Sequence, residues 1–326
     1  MEQNKQAIPV FLSSDDNYVP YMAALIVSIM ENTKSKVDFY IIDSGISQHN
    51  KKQLIEIKKK YEFNLDFFDV EKYRHHFKLP AAPSGHISRA SSDRFLIPYM
   101  KPDLDKVIVL DVDMIALGDI KKLWEIDLEG KLVAGVPVYL FTDIKWIYEA
   151  VREVGMSPQH FYLNMGTIIM DCKQWRQKNM CDVLSETNID FDTNKYCNWD
   201  ELILNLALEV NNYKVIDPKF NMTIPHIAYY KYGKPYVHKR VIEEHFRLPS
   251  DYQPNDIIFA HFAASHIKPW NTRMYYYDVI NKWIEIPYFK EFWHYMQKTP
   301  FFESEKIAFL DKQIGGLYSQ IHNLRH

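Results

Sequence analysis

Apolar runs that alternate with amphipathic segments organise the first 70 residues of the chain. Strand-like runs cover residues 8–14, 37–43 and 63–70, and their mostly apolar character is typical of parallel strands that are buried on both faces. Apolar residues recur at helical spacing over 19–31, and a second helix is predicted after Ser47, a good N-cap residue. This βαβαβ alternation predicts a parallel half-sheet of the nucleotide-binding type.

The same α/β pattern extends to about residue 270. We predict further strands and helices around an irregular segment: strands at 106–111, 132–138, 162–171 and 256–262, helices at 89–98, 141–155 and 198–210, and irregular chain at 71–88. The first βα turn is SSDDNY (13–18), and neither G-x-G-x-x-G nor a P-loop occurs in the chain. A nucleotide would therefore be bound without a glycine-rich phosphate loop.

The last part of the chain, from residue 271 onward, is predicted to be helical and aromatic. Its apolar residues are spaced by three and four in turn: Ile307, Leu310, Ile314, Leu317, Ile321 and Leu324. Ile at a and Leu at d favour a parallel dimer, but the stretch is short for a coiled coil and contains Gly315 and Gly316. Two interpretations stay open, a homodimer through this helix and docking of the helix on the chain's own body.

Composition sets limits on partners and location. The 326 residues suit one large α/β domain with additions, and a net charge of -3 gives no reason to expect a nucleic-acid partner. The cysteines Cys172, Cys181 and Cys197 match no zinc or redox spacing and are interpreted as free thiols. No signal peptide is recognisable, and the longest near-apolar run is about half of a bilayer span. We expect a cytoplasmic protein, with any contact at the inner face of the membrane being peripheral.

Two acids end an apolar strand in the stretch VIVLDVDMIAL (107–117). Residues two apart in a strand point to one face, so Asp111 and Asp113 are expected to converge while Val112 faces away. Buried carboxylates are costly unless they are paired or bind a cation. Two of them at the C-terminal edge of an α/β sheet form half of a divalent-cation site. The other interpretation is an exposed turn with solvated acids, which the apolar flanks make less suitable.

Two later residues extend this candidate site. His261 ends the predicted strand at 256–262, and Lys268 begins the segment KPW. A neutral imidazole is a good third metal ligand and moves the preference from Mg²⁺ towards Mn²⁺. A lysine can contribute a point charge to a phosphate. Without the acids, a lone histidine here would be interpreted as a packed core residue.

Five stretches, taken in order, resemble the family 8 glycosyltransferases, among them bacterial enzymes that transfer galactose or glucose from UDP-sugars to lipopolysaccharide and other glycans. They are SSDDNY (13–18), LDVDMIAL (110–117), YLNMGTIIMD (162–171), WDELILN (199–205) and HFAASHIKPW (261–270). The resemblance covers about residues 7–270 and implies an α/β fold of the GT-A nucleotide-diphospho-sugar transferase type, with a mixed, mostly parallel central sheet flanked by helices.

The resemblance implies two regions of the chain. A catalytic domain is expected at 1–270, with a UDP-binding half at about 1–115 and an acceptor and sugar half at about 116–270. A helical C-terminal extension is expected at 271–326. The acceptor is expected to be bound by the irregular region 221–255 together with this extension.

The resemblance also implies a role for each matching site residue. It assigns Mn²⁺, with Mg²⁺ as the other candidate, to Asp111, Asp113 and His261. It assigns UDP to Ser13, Asp15, Asn17, Tyr18, Asp111, Val112, Asp113 and Lys268. It assigns the donor sugar to Arg94, Asn164 and Asp200. Glu201 lies where the family usually has Gln, beside the anomeric carbon, and Asp200 and Glu201 are the catalytic candidates. His86 is the implied acceptor contact. Without the resemblance, Asp15 and Asn17 suit a turn, and Asp200 and Glu201 suit a helix N-terminus.

Three departures from the family pattern affect these roles. Ser92 stands where a Tyr is common, two residues before Arg94. The loop between His261 and Lys268 is one residue longer than usual and has Ala264 in place of a Gly that lets the backbone approach phosphate. An acid that often follows the strand at 132–138 is missing.

The expected activity is a metal-dependent, retaining transfer of a hexose from UDP-galactose or UDP-glucose to a glycan acceptor, in lipopolysaccharide or cell-surface polysaccharide synthesis. Three alternatives stay open. They are a self-glucosylating or protein-directed glucosyltransferase, a metal-dependent nucleotidyltransferase or phosphohydrolase, and an inactive UDP-sugar-binding protein.

Overall fold

A computed structural model describes residues 7–77, 89–137, 160–187, 199–208, 211–232, 256–263, 266–277 and 280–323. The strands are β1 (Ile8–Ser14), β2 (Val37–Asp43), β3 (Asn64–Asp69), β4 (Lys106–Leu110), β5 (Met114–Ala116), β6 (Val133–Pro137), β7 (Leu163–Asp171), β8 (Tyr213–Val215), β9 (Met222–Thr223), β10 (Phe259–His261), β11 (Met274–Tyr277) and β12 (Lys282–Glu285). The α-helices are α1 (Val19–Asn32), α2 (Gln48–Ile57), α3 (Ile97–Met100), α4 (Lys121–Trp124), α5 (Cys172–Gln177), α6 (Met180–Glu186), α7 (Trp199–Ala207), α8 (Ile224–Tyr232), α9 (Phe289–Met296) and α10 (Phe302–Asn323).

A seven-stranded sheet in the order β3-β2-β1-β4-β7-β6-β8 forms the centre of the fold. The pairs β1–β2, β2–β3, β1–β4 and β6–β8 are parallel, and β4–β7 and β6–β7 are antiparallel. The expected mixed, mostly parallel sheet is therefore confirmed. A second sheet, in the order β5-β10-β9, lies at the end of β4, and β11 and β12 form a separate hairpin.

The first half of the main sheet follows the predicted βαβαβ order. Helix α1 has Pro20 in its first turn, where the missing N–H costs nothing, and is buried on nearly every side from Val19 to Ile29. The side chain of Ser47 accepts a hydrogen bond from the Asn50 backbone N–H at 3.2 Å, which confirms the predicted helix cap. Side chains of β1 alternate between two apolar clusters on opposite faces of the sheet, as the strand period requires.

Two predictions about local structure were wrong in part. The segment predicted as a helix at 89–98 is a 3-10 helix (Arg89–Leu96) followed by the single α-turn of α3. Ser and Asp side chains compete for backbone hydrogen bonds, and Pro98 lacks the N–H that one continuous α-helix would need at this position. Residues after 271 begin with the β11–β12 hairpin rather than a helix. Met274 and Tyr276 are exposed and Tyr275 and Tyr277 are buried, a period of two that suits this aromatic run.

The remaining predictions about local structure, cysteines and membrane spans have mixed outcomes. The region from 221 was expected to be irregular, but β9 and α8 occupy 222–232. The predicted helix at 141–155, together with His86, Ala264 and Cys197, lies outside the described residues. Cys172 and Cys181 are buried free thiols, as expected. No helix among the described residues is long and apolar enough to cross a membrane. The division of the catalytic region into UDP and acceptor halves stays a prediction.

The C-terminal extension is joined to α1 and to the turn after Lys268. Lys312 and Gln313 of α10 donate to the side-chain and backbone oxygens of Asn271, at 2.7 and 2.9 Å. Glu305 accepts a hydrogen bond from Tyr21 of α1, and burial raises the pKa of Glu305 despite this bond. The opposite stripe of α10 stays in solvent: Ile307, Leu310 and Ile314 are 58%, 48% and 50% exposed. Docking of this stripe on the chain's own body is therefore wrong for these three residues.

A buried ion pair holds the segment after β3 against the 3-10 helix that carries Arg94. Asp93 is 1% exposed and accepts hydrogen bonds from Arg74 Nε and Nη2, at 3.1 and 2.7 Å, and from the Ser44 hydroxyl at 3.1 Å. Both partners are largely withdrawn from solvent. Loss of Asp93 would leave the Arg74 guanidinium only the exposed carboxylate of Glu71, a weak compensation for its charge.

Candidate active site

Asp111 and Asp113 lie in the bend between β4 of the main sheet and β5 of the second sheet. The expectation that strand alternation brings the two acids to one face is wrong, because β4 ends at Leu110 and β5 begins at Met114, so neither acid lies within a strand. Two backbone bonds fix the bend: the Asp111 N–H donates to the Gly166 carbonyl at 3.0 Å, and the Phe262 N–H donates to the Asp113 carbonyl at 2.9 Å. The acids converge by this change of direction rather than by strand alternation.

His261 closes the third side of the acid pair. It ends β10, which pairs antiparallel with β5, so His261 lies opposite Met114 and next to the bend. Its Nε2 is 3.6 Å from Asp111 Oδ2 and 3.2 Å from Asp113 Oδ1. One ligand atom from each of the three side chains lies within 4.8 Å of the others. The residues that the sequence grouped as metal ligands are thus brought together.

The ring atoms of His261 that point away from the acids contact a polar side chain and a glycine. His261 Nδ1 lies 2.8 Å from Asn221 Oδ1. Gly166 of β7 lies against the ring, so closely that a Cβ at this position would stand 2.5 Å from both His261 Cε1 and Nδ1. The imidazole therefore has one available position, with Nε2 towards the acids.

Arg94 joins two of the acids. Its Nη2 donates to Asp111 Oδ1 at 2.8 Å, its Nε lies 3.7 Å from Asp200 Oδ2, and its Nη1 donates to the Met165 carbonyl at 2.9 Å. Burial opposes the charged guanidinium, but Asp111 and Asp200 outweigh this effect and raise the pKa of Arg94. Burial also raises the pKa of Asp200, against the lowering effect of Arg94.

Glu201 lies in the first turn of α7 and is 5% exposed. Its Oε2 accepts hydrogen bonds from the Asn164 side-chain amide at 3.0 Å and from the Met165 backbone N–H at 3.2 Å. These donors hold the carboxylate against the end of β7. Asp200, its neighbour on α7, faces Arg94 instead, so the two adjacent acids point to different partners as helix geometry requires.

Lys268 contacts the metal-site acid directly. Its Nζ donates to Asp113 Oδ2 and to the Phe262 carbonyl, and it lies 5.5 Å from the centre of the Trp270 ring. Burial works against a charged Asp113, but Lys268 and His261 outweigh it and hold the pKa of Asp113 far below its usual range. Asp113 is therefore ionised and ready to bind a cation at neutral pH.

A cavity of about 300 Å³ connects these groups to the first βα turn. Its lining residues are Ser13, Ser14, Asp15, Tyr18, Ser91, Arg94, Asp111, Val112, Asp113, Asn164, Met165, Asp200, Glu201, His261 and Ala263. Nearly all the sequence-predicted site residues within the described chain are included. Asn17 is exposed and is not among the lining residues, and Lys268 reaches the site through Asp113.

Asp15 has a structural task in this turn. One of its carboxylate oxygens accepts hydrogen bonds from the backbone N–H groups of Asn17 and Tyr18, at 3.0 and 3.2 Å, and so begins the 3-10 helix Asp16–Tyr18. The turn interpretation of Asp15 therefore holds, and it places Tyr18 at the cavity.

Sequence reasoning missed Asn221 and Gly166. Asn221 lay in the region that was interpreted as irregular, and nothing in the stretch FNMT marks a buried polar contact. Gly166 did carry a signal, because a glycine inside a strand pattern often marks a close approach of another group. That group, His261, is 95 residues away in sequence (261 minus 166).

The residues fit a divalent cation. Five acids line the cavity, while Arg94 and Lys268 are the cations in contact with them among the described residues. A bound cation would offset the excess negative charge. Two carboxylates and one imidazole suit a transition-metal ion such as Mn²⁺ or Zn²⁺ better than Ca²⁺, which prefers six to eight oxygen ligands.

A family model and two relatives of known sequence match most of the chain. The family model described as Glycosyl transferase family 8 matches residues 9–273. The chain is 28% identical over 293 residues to general stress protein A of Bacillus subtilis (strain 168), covering 88% of this chain and 92% of that protein. It is 30% identical over 223 residues to a putative glycosyltransferase of Haemophilus influenzae, covering 67% of this chain and 64% of that protein.

Solved structures of glycosyltransferases share the fold. The bifunctional glycosyltransferase WbbM superposes with a TM-score of 0.71 at 20% identity, over 95% of this chain and 53% of that one. The galactosyltransferase LgtC, solved in complex with donor and acceptor sugar analogues, superposes with a TM-score of 0.67 at 19% identity, over 90% of this chain and 96% of that one. At these identities the likeness establishes a GT-A fold.

Proposed function

Because the chain belongs to glycosyltransferase family 8, we propose that it transfers galactose or glucose from a UDP-sugar to a glycan acceptor, with retention of configuration at the anomeric carbon. The observation that carries this proposal is the meeting of Asp111, Asp113 and His261 in one cavity with Glu201. The likeness to LgtC, which was solved with both a donor and an acceptor sugar analogue, supports a two-sugar reaction. The pathway we favour is lipopolysaccharide or cell-surface polysaccharide synthesis.

In this proposal Asp111, Asp113 and His261 hold Mn²⁺, with Mg²⁺ as the second choice because it prefers oxygen ligands. A divalent cation bound there would stabilise the negative charge that develops on the departing diphosphate. Lys268, now bonded to Asp113, would turn towards a phosphate oxygen. Val112 lies between the two acids and lines the same cavity.

The uridine end of the donor is assigned to the first βα turn. Ser13 and Tyr18 line the cavity, and Tyr18 offers a ring face for stacking. Asp15 keeps one carboxylate oxygen on the backbone of the turn and can use the other for ribose or base. Asn17, which is exposed beside the cavity, has the weakest case among the proposed UDP contacts.

The donor sugar is assigned to the end of the cavity between β7 and α7. Arg94 and Asp200 are buried and paired with each other, and Asn164 is held against Glu201. In the reaction the bond between the anomeric carbon and the diphosphate oxygen breaks, and a bond to the acceptor oxygen forms. The proton of the acceptor hydroxyl leaves with the diphosphate.

Glu201 has two candidate roles. As a nucleophile it would form a glycosyl ester before the acceptor attacks. As a fixed charge it would stabilise an oxocarbenium ion while the acceptor attacks from the face that UDP leaves. The two hydrogen bonds on Oε2 favour the second role, because a carboxylate oxygen engaged by two donors is a weaker nucleophile.

A UDP-release assay over a panel of UDP-sugars, with MnCl₂ and with EDTA, tests the proposal. We expect release from UDP-galactose or UDP-glucose that stops with EDTA. Release of pyrophosphate or phosphate without UDP would favour a nucleotidyltransferase or phosphohydrolase. A sugar found on the protein itself would favour self-glucosylation. If no UDP-sugar gives either turnover or a thermal shift, both sugar transfer and the binding-protein alternative are rejected.

A further inference from the structure

Asn221 lies between the metal-site histidine and the residues assigned to the donor sugar. It is 1% exposed and follows a 3-10 turn (Pro218–Phe220) just before β9, which runs parallel to β10. We infer that Asn221 is a positioning residue that fixes which nitrogen of His261 faces the metal and, through Asn164, orients Glu201. The inference rests on the proposed function and adds to it a link between its metal and sugar halves.

The direction of each hydrogen bond in this chain of groups is fixed from the sugar side. The Glu201 carboxylate can only accept, so it faces the NH₂ group of Asn164, at 3.0 Å. The Gly166 backbone N–H can only donate, and it meets Asn164 Oδ1 at 2.9 Å. The Asn164 amide therefore has one orientation. Its oxygen accepts a second bond from Asn221 Nδ2 at 2.6 Å, so the Asn221 NH₂ group faces Asn164.

The oxygen of the Asn221 amide then determines which ring nitrogen of His261 carries the proton. With its NH₂ group committed to Asn164, Asn221 presents Oδ1 to His261 Nδ1, at 2.8 Å. A carbonyl oxygen accepts only, so Nδ1 carries the proton. In the neutral ring this leaves the lone pair on Nε2, which points at Asp111 and Asp113. A second partner that fixes the tautomer is what a metal-binding histidine needs.

Two substitutions separate the two halves of this role. Alanine at position 221 removes both contacts. Aspartate keeps an oxygen that accepts from His261 Nδ1 but has no NH₂ group to donate to Asn164. Asn221→Ala should therefore disturb metal binding and sugar transfer together, whereas Asn221→Asp should disturb only transfer. A residue with a merely structural role would not separate the two readouts.

The experiment measures Mn²⁺ affinity from the EPR signal of free Mn²⁺, with MnCl₂ alone, and steady-state transfer from UDP-sugar. Asn221→Ala should bind Mn²⁺ about 10- to 100-fold more weakly than wild type, the usual effect of losing a partner of a metal ligand. Asn221→Asp should bind Mn²⁺ within about threefold of wild type, well short of that loss, while its kcat falls about tenfold or more with little change in the KM for donor.

Asn32→Ala serves as the matched control. The Asn32 side-chain amide is also surrounded by possible acceptors, with Nδ2 at 2.9 Å from the Ser28 carbonyl, 3.2 Å from the Ala116 carbonyl and 2.9 Å from the Tyr295 hydroxyl. Asn32 is not among the residues that line the cavity. It should lower the melting temperature without changing Mn²⁺ affinity. This separates a general loss of stability from a loss of the metal site.

Each outcome counts for or against the inference. Wild-type Mn²⁺ affinity in Asn221→Ala overturns it, and so does an equal loss of Mn²⁺ affinity in the alanine and aspartate variants. If wild type binds Mn²⁺ but transfers no sugar, the proposed function fails while the Mn²⁺ measurements still decide the role of Asn221. If wild type binds no Mn²⁺, both fail together.

Discussion

Replacing Gly166 by alanine perturbs the candidate metal site from a position that carries no metal ligand. The added methyl group would stand 2.5 Å from two ring atoms of His261 and 2.9 Å from Asn164 Oδ1. Ordinary van der Waals contact begins at about 3.4 Å, so the imidazole must move by about 0.9 Å (3.4 minus 2.5). One of the two crowded ring atoms, Nδ1, also lies 2.8 Å from Asn221 Oδ1, so the ring cannot move away from the methyl group without disturbing that hydrogen bond.

The size of the effect follows from the tolerance of metal coordination. Ligand distances in metal sites are kept within about 0.2 Å, and a displacement of about 0.9 Å exceeds this several times. Gly166→Ala should therefore lose most of the contribution of His261. We expect Mn²⁺ affinity to fall about 10- to 100-fold, equal to about 1.4 to 2.7 kcal/mol of binding free energy. The crowded strand should also lose about 1 to 3 kcal/mol of folding stability.

Mn²⁺ titration followed by EPR, with thermal denaturation in parallel, measures both effects. Gly135→Ala is the matched control: Gly135 lies on β6 beside the same strand, and its added methyl would meet Ile168 Cδ1 at 2.8 Å. It should lower stability while leaving Mn²⁺ affinity unchanged. A folded Gly166→Ala protein that binds Mn²⁺ as tightly as wild type would refute the placement of His261 as a ligand.

Three further predictions test other contacts. Asp93→Asn should lower the free energy of unfolding in urea by about 3 kcal/mol, because it breaks a buried ion pair. The control is Asp105→Asn, which breaks the pair with Arg176; its acid is 71% exposed, so the loss should be less than about 1 kcal/mol. Equal losses in the two variants would contradict the buried pairing. Burial raises the pKa of Glu305, so its ionised form is disfavoured in the folded protein. Glu305→Gln should thus raise Tm by about 2 °C at pH 7 and have no effect below the unfolded-state pKa of about 4.5; a gain that is the same at pH 3.5 and pH 7 would contradict this. Glutamate at both Leu310 and Ile314 should change Tm by about 1 °C or less, because both are half exposed. Light scattering of the same variant tests self-association: a wild-type dimer that becomes a monomer would support it, and a monomeric wild type would reject it.

Much of the fold could be predicted because apolar runs and helical spacing record burial directly. The strands at 8–14, 37–43 and 162–171 were predicted to within about two residues, the usual uncertainty of element ends. The acids at 111 and 113 stood out because they interrupt apolar sequence. These signals are local, so each could be interpreted without knowing which parts of the chain meet.

The parts that could not be predicted depend on contacts between distant segments. Asn221 acquires its place from the pairing of β9 with β10, and its stretch of sequence has no periodic pattern. The bend at Val112 exists because β4 and β5 belong to different sheets, which alternation along one strand cannot reveal. The β11–β12 hairpin was missed because four consecutive aromatic or long apolar residues suit either a helix or a strand.

Calorimetric titration of UDP into the metal-free protein, with and without MnCl₂, tests the central claim most directly. If Asp111, Asp113 and His261 hold the ion against the diphosphate, Mn²⁺ should tighten UDP binding at least about tenfold, or about 1.4 kcal/mol, and His261→Ala should remove this gain. Equal UDP affinity with and without Mn²⁺, or an undiminished gain in His261→Ala, would contradict the account.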